Sequence, residues 1–177
     1  MIEHLVLING MPGSGKTWLS ERLAARLDYP LLARDTVKEA IYDALPQPEG
    51  LDPLTWSRIV GGSAFEVLWR VAPSLGARCV LEGNFLRNFS AHHILELNDH
   101  PTEIYLEAPT AVLHARHHAR VTERHGTHQP YPLPTIEDIE TAAAGWGPLD
   151  LGGPIIRVDT SQPVDVEAIA EWVVLRR

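Results

Sequence analysis

The stretch Leu5-Val6-Leu7-Ile8-Asn9-Gly10-Met11-Pro12-Gly13-Ser14-Gly15-Lys16-Thr17 decides the fold. Residues 5–8 form an apolar run of the kind a buried parallel strand shows. Beyond it Leu19, Leu23 and Leu27 recur at helical spacing and predict a helix over 17–27. Residues 10–17 between them fit the pattern G-x-x-x-x-G-K-[ST]. Glycines let the backbone turn tightly and keep side chains from between the amides and an anion. Successive N–H groups then converge on a β-phosphate, and the helix opening near Gly15 adds the positive end of its dipole. Lys16 can bridge β- and γ-phosphates as a point charge, and Thr17 offers a hydroxyl to Mg²⁺. Gly10, Met11, Pro12, Gly13, Ser14, Gly15, Lys16 and Thr17 are therefore expected to hold a nucleotide, with Thr17 on the metal.

Outward from this loop the chain alternates. Apolar runs at 5–8, 30–33, 79–81, 104–106 and 155–158 read as strands. Helical patterns lie around 17–27, 35–44, 53–72, 109–124, 135–143 and 164–175. Such alternation predicts right-handed βαβ crossovers: a five-stranded parallel sheet with helices on both faces, in a three-layer α/β/α fold. Asp52-Pro53 marks a helix start. Gly61-Gly62 falls inside that helix, as a kink, a packing site or a close approach. Residues 125–134 and 145–154 read as loops. The reading is one domain over 1–177.

The 177 residues carry a formal charge of −8. That disfavours a general nucleic-acid binder without excluding a local basic cleft. The single cysteine, Cys79, allows no internal disulfide and is expected in the core. Glu3 and His4 interrupt any signal-peptide pattern, and no apolar stretch approaches the roughly 20 residues of a membrane span. The expected location is cytoplasmic, with no membrane partner.

In open α/β sheets ligands bind outside the carboxyl ends of the strands. Strand two ends at Arg34-Asp35-Thr36-Val37-Lys38, which puts Asp35 near the γ-phosphate. A carboxylate there can take the proton of an attacking hydroxyl or hold Mg²⁺ through water. It can equally cap the helix that follows. Lys38, one turn on, is expected either on an anionic substrate or in solvent.

The glycine loop followed by Arg34-Asp35-Thr36-Val37-Lys38 resembles the small P-loop kinases that include zeta toxins, chloramphenicol phosphotransferase and the polynucleotide-kinase and gluconate-kinase types. Zeta toxins carry an Asp-Thr-x-Lys run after the second strand, and Asp35 falls on their catalytic base. The resemblance implies an AAA-type ATP-binding domain, nucleoside-kinase-like, with a mobile lid at about 116–134. It also implies transfer of the ATP γ-phosphate to a hydroxyl.

Strand three runs into Glu82-Gly83-Asn84-Phe85-Leu86-Arg87. Related kinases usually show Asp-Gly here. Glu82 is expected to order the Mg²⁺ shell or touch substrate, or to be a buried carboxylate paired with a base. Gly83, Asn84, Phe85 and Arg87 are expected to line the acceptor pocket, Arg87 on a substrate anion. Arg116, Arg120 and Arg124 recur every four residues, a basic stripe suited to clamping a triphosphate. By the resemblance Arg116 lies near the adenine and Arg120 on the phosphates. Arg124 would neutralise the phosphoryl group in flight. By the same resemblance the turn after the last strand packs near the adenine, with Arg157 of that strand and Thr160 of the turn as its contacts. His114, His117, His118, His125 and His128 crowd the same region without a cysteine or an HExxH pattern, so they are expected in solvent or lid rather than on zinc, with contact of one of them to substrate left open.

Together these residues predict an ATP- and Mg²⁺-dependent kinase acting on a small-molecule hydroxyl. Asp35 is its general base, and Lys16, Arg120 and Arg124 its catalytic cations. A kinase of nucleic-acid 5′-hydroxyls and a nucleotide-gated regulatory protein without an acceptor are the alternatives.

Overall fold

Strand β1, His4–Gly10, is buried along its whole length. Alternation along a strand sends its side chains to opposite faces of the sheet. Val6 and Ile8 pack with Leu19, Leu23 and Leu27 of α1 (Lys16–Leu27) and with Ile169 and Val173 of α7 (Val166–Val174). Leu5 and Leu7 pack on the other face with Leu68 of α3 (Pro53–Val71) and with Ile94 and Leu97 of α4 (Arg87–Leu97). One strand thus seeds two cores, which is why it reads as an unbroken apolar run.

The computed structural model describes residues 1–120, 124–128 and 134–176. Within these, β2 (Leu31–Ala33), β3 (Arg78–Glu82), β4 (Thr102–Glu107) and β5 (Ile155–Asp159) complete a five-stranded sheet in the order β2-β3-β1-β4-β5. Every pairing is parallel. The chain leaves β1 towards β2 and β3 on one side, then crosses to β4 and β5 on the other. The order therefore reverses at β1, and the crevice outside its carboxyl end is where such sheets bind ligands. The remaining helices are α2 (Arg34–Ala44), α5 (Thr110–Ala119) and α6 (Ile136–Ala143), with short 3₁₀ turns at Ala72–Leu75 and Gly126–His128.

All five expected strands are present. Two features differ from expectation. α4 is a full helix where the sequence showed only a strand exit. Its buried positions are Ser90, Ile94 and Leu97, while Phe89 is 67% exposed. A serine starts the inward stripe and an aromatic sits outside it, so the helical period is masked. α5 ends at Ala119, so Arg116 lies on the helix, Arg120 caps it and Arg124 lies beyond it. The parts of the expected lid at 121–123 and 129–133 lie outside the described residues.

Candidate active site

Lys16 begins α1, and Gly15 before it sits at φ +90° as the helix cap, with no side chain capping the first turn. The first-turn amides are thus left to an external acceptor. Gly10 closes β1 at φ +148°, where a Cβ would strike the Leu106 carbonyl. The loop is fastened from below by Asn9. Its side-chain oxygen accepts from the amides of Gly10 (2.8 Å) and Phe85 (3.0 Å), and its Nδ2 donates to Glu103 (3.1 Å). Lys16 Nζ donates to the carbonyls of Gly10 and Met11, each at 3.0 Å. Burial lowers its pKa, against the raising effect of Glu82 and Asp35.

Above the loop opens a cleft of about 1890 Å³. Lys16, Arg22, Arg34, Lys38, Arg58, Arg120 and Arg124 line it against Glu21, Asp35, Glu39 and Glu82. A chain of net −8 thus gathers positive charge in one place, a field suited to a polyanion. Pro12, Gly13, Gly15, Thr17 and Asn84 also face the cleft. Gly10, Met11 and Ser14 lie behind it. Met11 packs with Leu113 of α5 and Ile139 of α6, and Ser14 is fully buried. The side chains of Met11 and Ser14 are therefore turned into the protein rather than the cleft.

Asp35 stands in the first turn of α2 with Arg34 Nη1 at 2.7 Å from its Oδ1. Burial alone would raise its pKa, but the charge and hydrogen bond of Arg34, with His128 and Lys16, hold it below the usual aspartate range. Gly61 of α3 makes room for this clamp, since a Cβ there would lie 2.5 Å from Arg34 Nη2. Close approach is thus the reason for a glycine inside that helix. Arg34 itself went unassigned in the sequence, although it directly precedes the acid. Glu82 ends β3, in register with Ile8 and Ala33 and 2% exposed. Burial pushes its pKa up to about 7 despite Lys16.

The residues present fit a divalent cation bound together with a nucleotide. Glu82 Oε2 is buried without a hydrogen-bond partner, and Thr17 is exposed at the start of α1, lining the same cleft. Among the described residues no three or more His, Cys, Asp or Glu side chains gather into a cage. The protein thus supplies only part of a coordination shell, as is usual where Mg²⁺ is held by one or two protein groups together with phosphate oxygens and water.

The residues of the expected lid divide. Arg120 and Arg124 line the cleft, but Arg116 does not. Arg116 donates to the Gly13 carbonyl (3.2 Å) and to Thr160 Oγ1 and O (3.0 and 2.6 Å), so it bolts α5 to the phosphate loop and the exit of β5. His117 also lines the cleft and packs over Gly13. Burial lowers its pKa, with Arg124 adding to the effect, and its Nδ1 is 3.3 Å from Arg124 Nη1. Only its position one residue from Arg116 could have marked it. The turn Gly126–His128 is strapped to α2 and α3. His125 meets Asp43 and His128 meets Glu39, each at 3.0 Å.

Five expectations about side-chain contacts need correction. Lys38 is 4% exposed, and its Nζ donates to Ser57 Oγ (2.8 Å) and to the Thr127 carbonyl (3.3 Å), so it anchors the strap. Arg87 donates to the carbonyls of Leu149 and Asp150 and holds that loop. Phe85 is buried in the core on the α3/α4 face. Gly83 admits the Phe85 ring, which a Cβ would meet at 3.0 Å. Arg157 pairs with Glu107 (2.8 Å) and lies over Tyr105, outside the cleft.

A family profile described as an AAA domain matches residues 5–141. The chain belongs to this family. A candidate kinase from Chloroflexus aurantiacus is 30% identical over 100% of both chains, with a TM-score of 0.83. Shikimate kinase from Acinetobacter baumannii, solved with shikimate, is 16% identical over 97% of this chain and 90% of its own, with a TM-score of 0.58. Kti12 from Chaetomium thermophilum, solved with ADP-AlF3, is 16% identical over 96% of this chain and 94% of its own, at 0.59. No protein of curated function matches the sequence. Family and fold make this a small P-loop kinase: a phosphotransferase domain built to handle a nucleotide.

Proposed function

We propose that this P-loop kinase transfers the γ-phosphate of ATP to the hydroxyl of a small molecule, with Asp35 as general base. The observation that carries the reading is the Arg34-clamped carboxylate of Asp35, which shares one cleft with Lys16, Thr17 and Glu82. Its lowered pKa keeps it ionised at neutral pH and able to accept a proton.

Asp35 takes the proton of the acceptor O–H. The oxygen's electron pair forms the new bond to the γ-phosphorus. The bond from that phosphorus to the β,γ-bridging oxygen breaks, and its pair leaves with ADP. The loop amides and Lys16 hold the β- and γ-phosphates, and Arg120 and Arg124 face the charge that spreads over the phosphoryl oxygens. Thr17 and Glu82 would hold Mg²⁺, which when bound neutralises phosphate charge. An alcohol acceptor suits a net charge of −8 better than a nucleic-acid 5′ end does. The nearest setting for such chemistry is the cytoplasm, where ATP is abundant.

The test is a γ-labelled ATP transfer screen over alcohol metabolites, read by mass shift and repeated with Asp35→Asn. Transfer should fall by roughly 10²–10⁴-fold while ATP affinity changes only a few-fold. Equal loss of binding and transfer would remove Asp35 from the role of base.

A further inference from the structure

A second cavity, of about 240 Å³, opens between α3 and α4 and shares Phe65, Asn84, Leu86 and Phe89 with the main cleft. We propose that it is the acceptor subsite, and that it selects an alcohol bearing a flat, non-anionic ring with a hydrogen-bond donor, of which a nucleoside is the simplest kind. The proposal rests on the phosphotransferase reading above for its chemistry. The class of ligand comes from the pocket alone.

Three observations set that class. The first is shape. Phe65 and Trp69 lie with centroids 5.8 Å apart at 17°, and Trp69 and His93 lie 5.2 Å apart at 14°. Near-parallel rings thus run from α3 to α4, and Phe89 projects beside them with two thirds of its surface exposed. Aromatic walls reward a flat partner that stacks or meets their edges. The volume is below the roughly 300–1,000 Å³ of pockets that take whole drug-sized ligands, so it fits one ring system.

The second is polarity. The Asn84 side-chain oxygen is buried without a hydrogen-bond partner. A buried acceptor costs free energy until a donor meets it, so a ligand N–H or O–H is favoured there. Asn84 is also well placed, because the amide of Phe85 beside it is fixed to Asn9.

The third is charge. Of the residues lining this cavity only Glu66 is an acid, and none is Lys or Arg. Glu66 faces Arg70 at 3.8 Å on the exposed side of α3, and Arg34, 5.0 Å over the Phe65 ring, is paired with Asp35. A carboxylate or phosphate seated in this cavity would find no Lys or Arg in its lining. The same arrangement joins the aromatic stack to the base. Arg34 covers the Phe65 ring and pairs with Asp35, so the base stands at the Phe65 end of the aromatic row.

The experiment uses the full chain. Acceptor panels of nucleosides and aryl alcohols, of neutral sugars, and of sugar acids are offered with ATP and Mg²⁺, and products are read by mass. Binding without ATP is followed by tryptophan fluorescence. Ring alcohols should be phosphorylated in preference to the other two panels. Asn84→Ala and Phe89→Ala should each raise their KM about tenfold with kcat little changed, the loss of one hydrogen bond or one stacking face. Thermal melts verify folding, and Phe89, being largely exposed, can be removed without opening the core. Preferential transfer to sugars or sugar acids, or an unchanged KM in both variants, would overturn the proposal. If ring alcohols bind, and bind less well to both variants, yet no acceptor is phosphorylated, the phosphotransferase reading fails and the subsite stands. If nothing binds and nothing is phosphorylated, the subsite falls.

Discussion

Glu82 shows how one residue couples stability to chemistry. Its carboxyl keeps a proton in the folded chain up to about pH 7, where a free glutamate would have lost it near 4.5. Its folded pKa is raised, so its favourable contribution is complete at low pH and disappears as pH climbs through 7. The cost at pH 8 is roughly 3 kcal/mol. Glu82→Gln is expected to raise the urea midpoint at pH 8 and leave it nearly unchanged at pH 4. The same change should weaken Mg²⁺-dependent turnover, because cation binding needs the ionised form. In the parent chain, affinity for Mg²⁺ with nucleotide should rise between pH 6 and 8, and the variant should lose that slope. Asp35 behaves oppositely. Its carboxyl is held below the ordinary range, so the acid limb of transfer should lie below the usual aspartate region. Both residues were visible in the sequence as acids at strand ends. Their opposite titration was not, because it depends on Arg34 clamping one and on burial isolating the other.

At the scale of elements, the strap Gly126–His128 is the part whose removal is most informative. The Thr127 carbonyl accepts from Lys38 and from Ser57 (2.7 Å), which ties this turn to α2 and α3 together. Lys38→Met should loosen that tie. Phosphate release from ATP without acceptor should rise, as water reaches the γ-phosphate, while transfer to acceptor falls several-fold. A steady-state comparison of the two activities checks this. Strand positions were legible because a parallel sheet buried on both faces leaves continuous apolar runs. α4 was not, since Ser90 opens its buried stripe and Phe89 stands outside it. Lys38 and Arg87 were misread for a common reason. A cation near a strand end looks alike whether it meets a substrate anion or a backbone carbonyl, and only the fold supplies the carbonyls of Thr127, Leu149 and Asp150.

Across the whole molecule a buried polar relay joins distant parts. Asn9 links the phosphate loop to the exit of β3 and to Glu103, which accepts the amides of Leu149 and Asp150. Asn9→Ala would orphan two buried amides and cost roughly 2–4 kcal/mol by urea unfolding. Nucleotide affinity should fall with it, because the loop loses its lower fastening. The relay was invisible in the sequence, its directly bonded members lying up to 94 residues apart. The resting position of Lys16 has a kinetic implication. Its ammonium is parked on two loop carbonyls, so an arriving polyphosphate has only to trade for a donor already stationed within reach. Capture then requires a swap of partners rather than a rebuilding of the cradle, and association should run close to the rate of encounter.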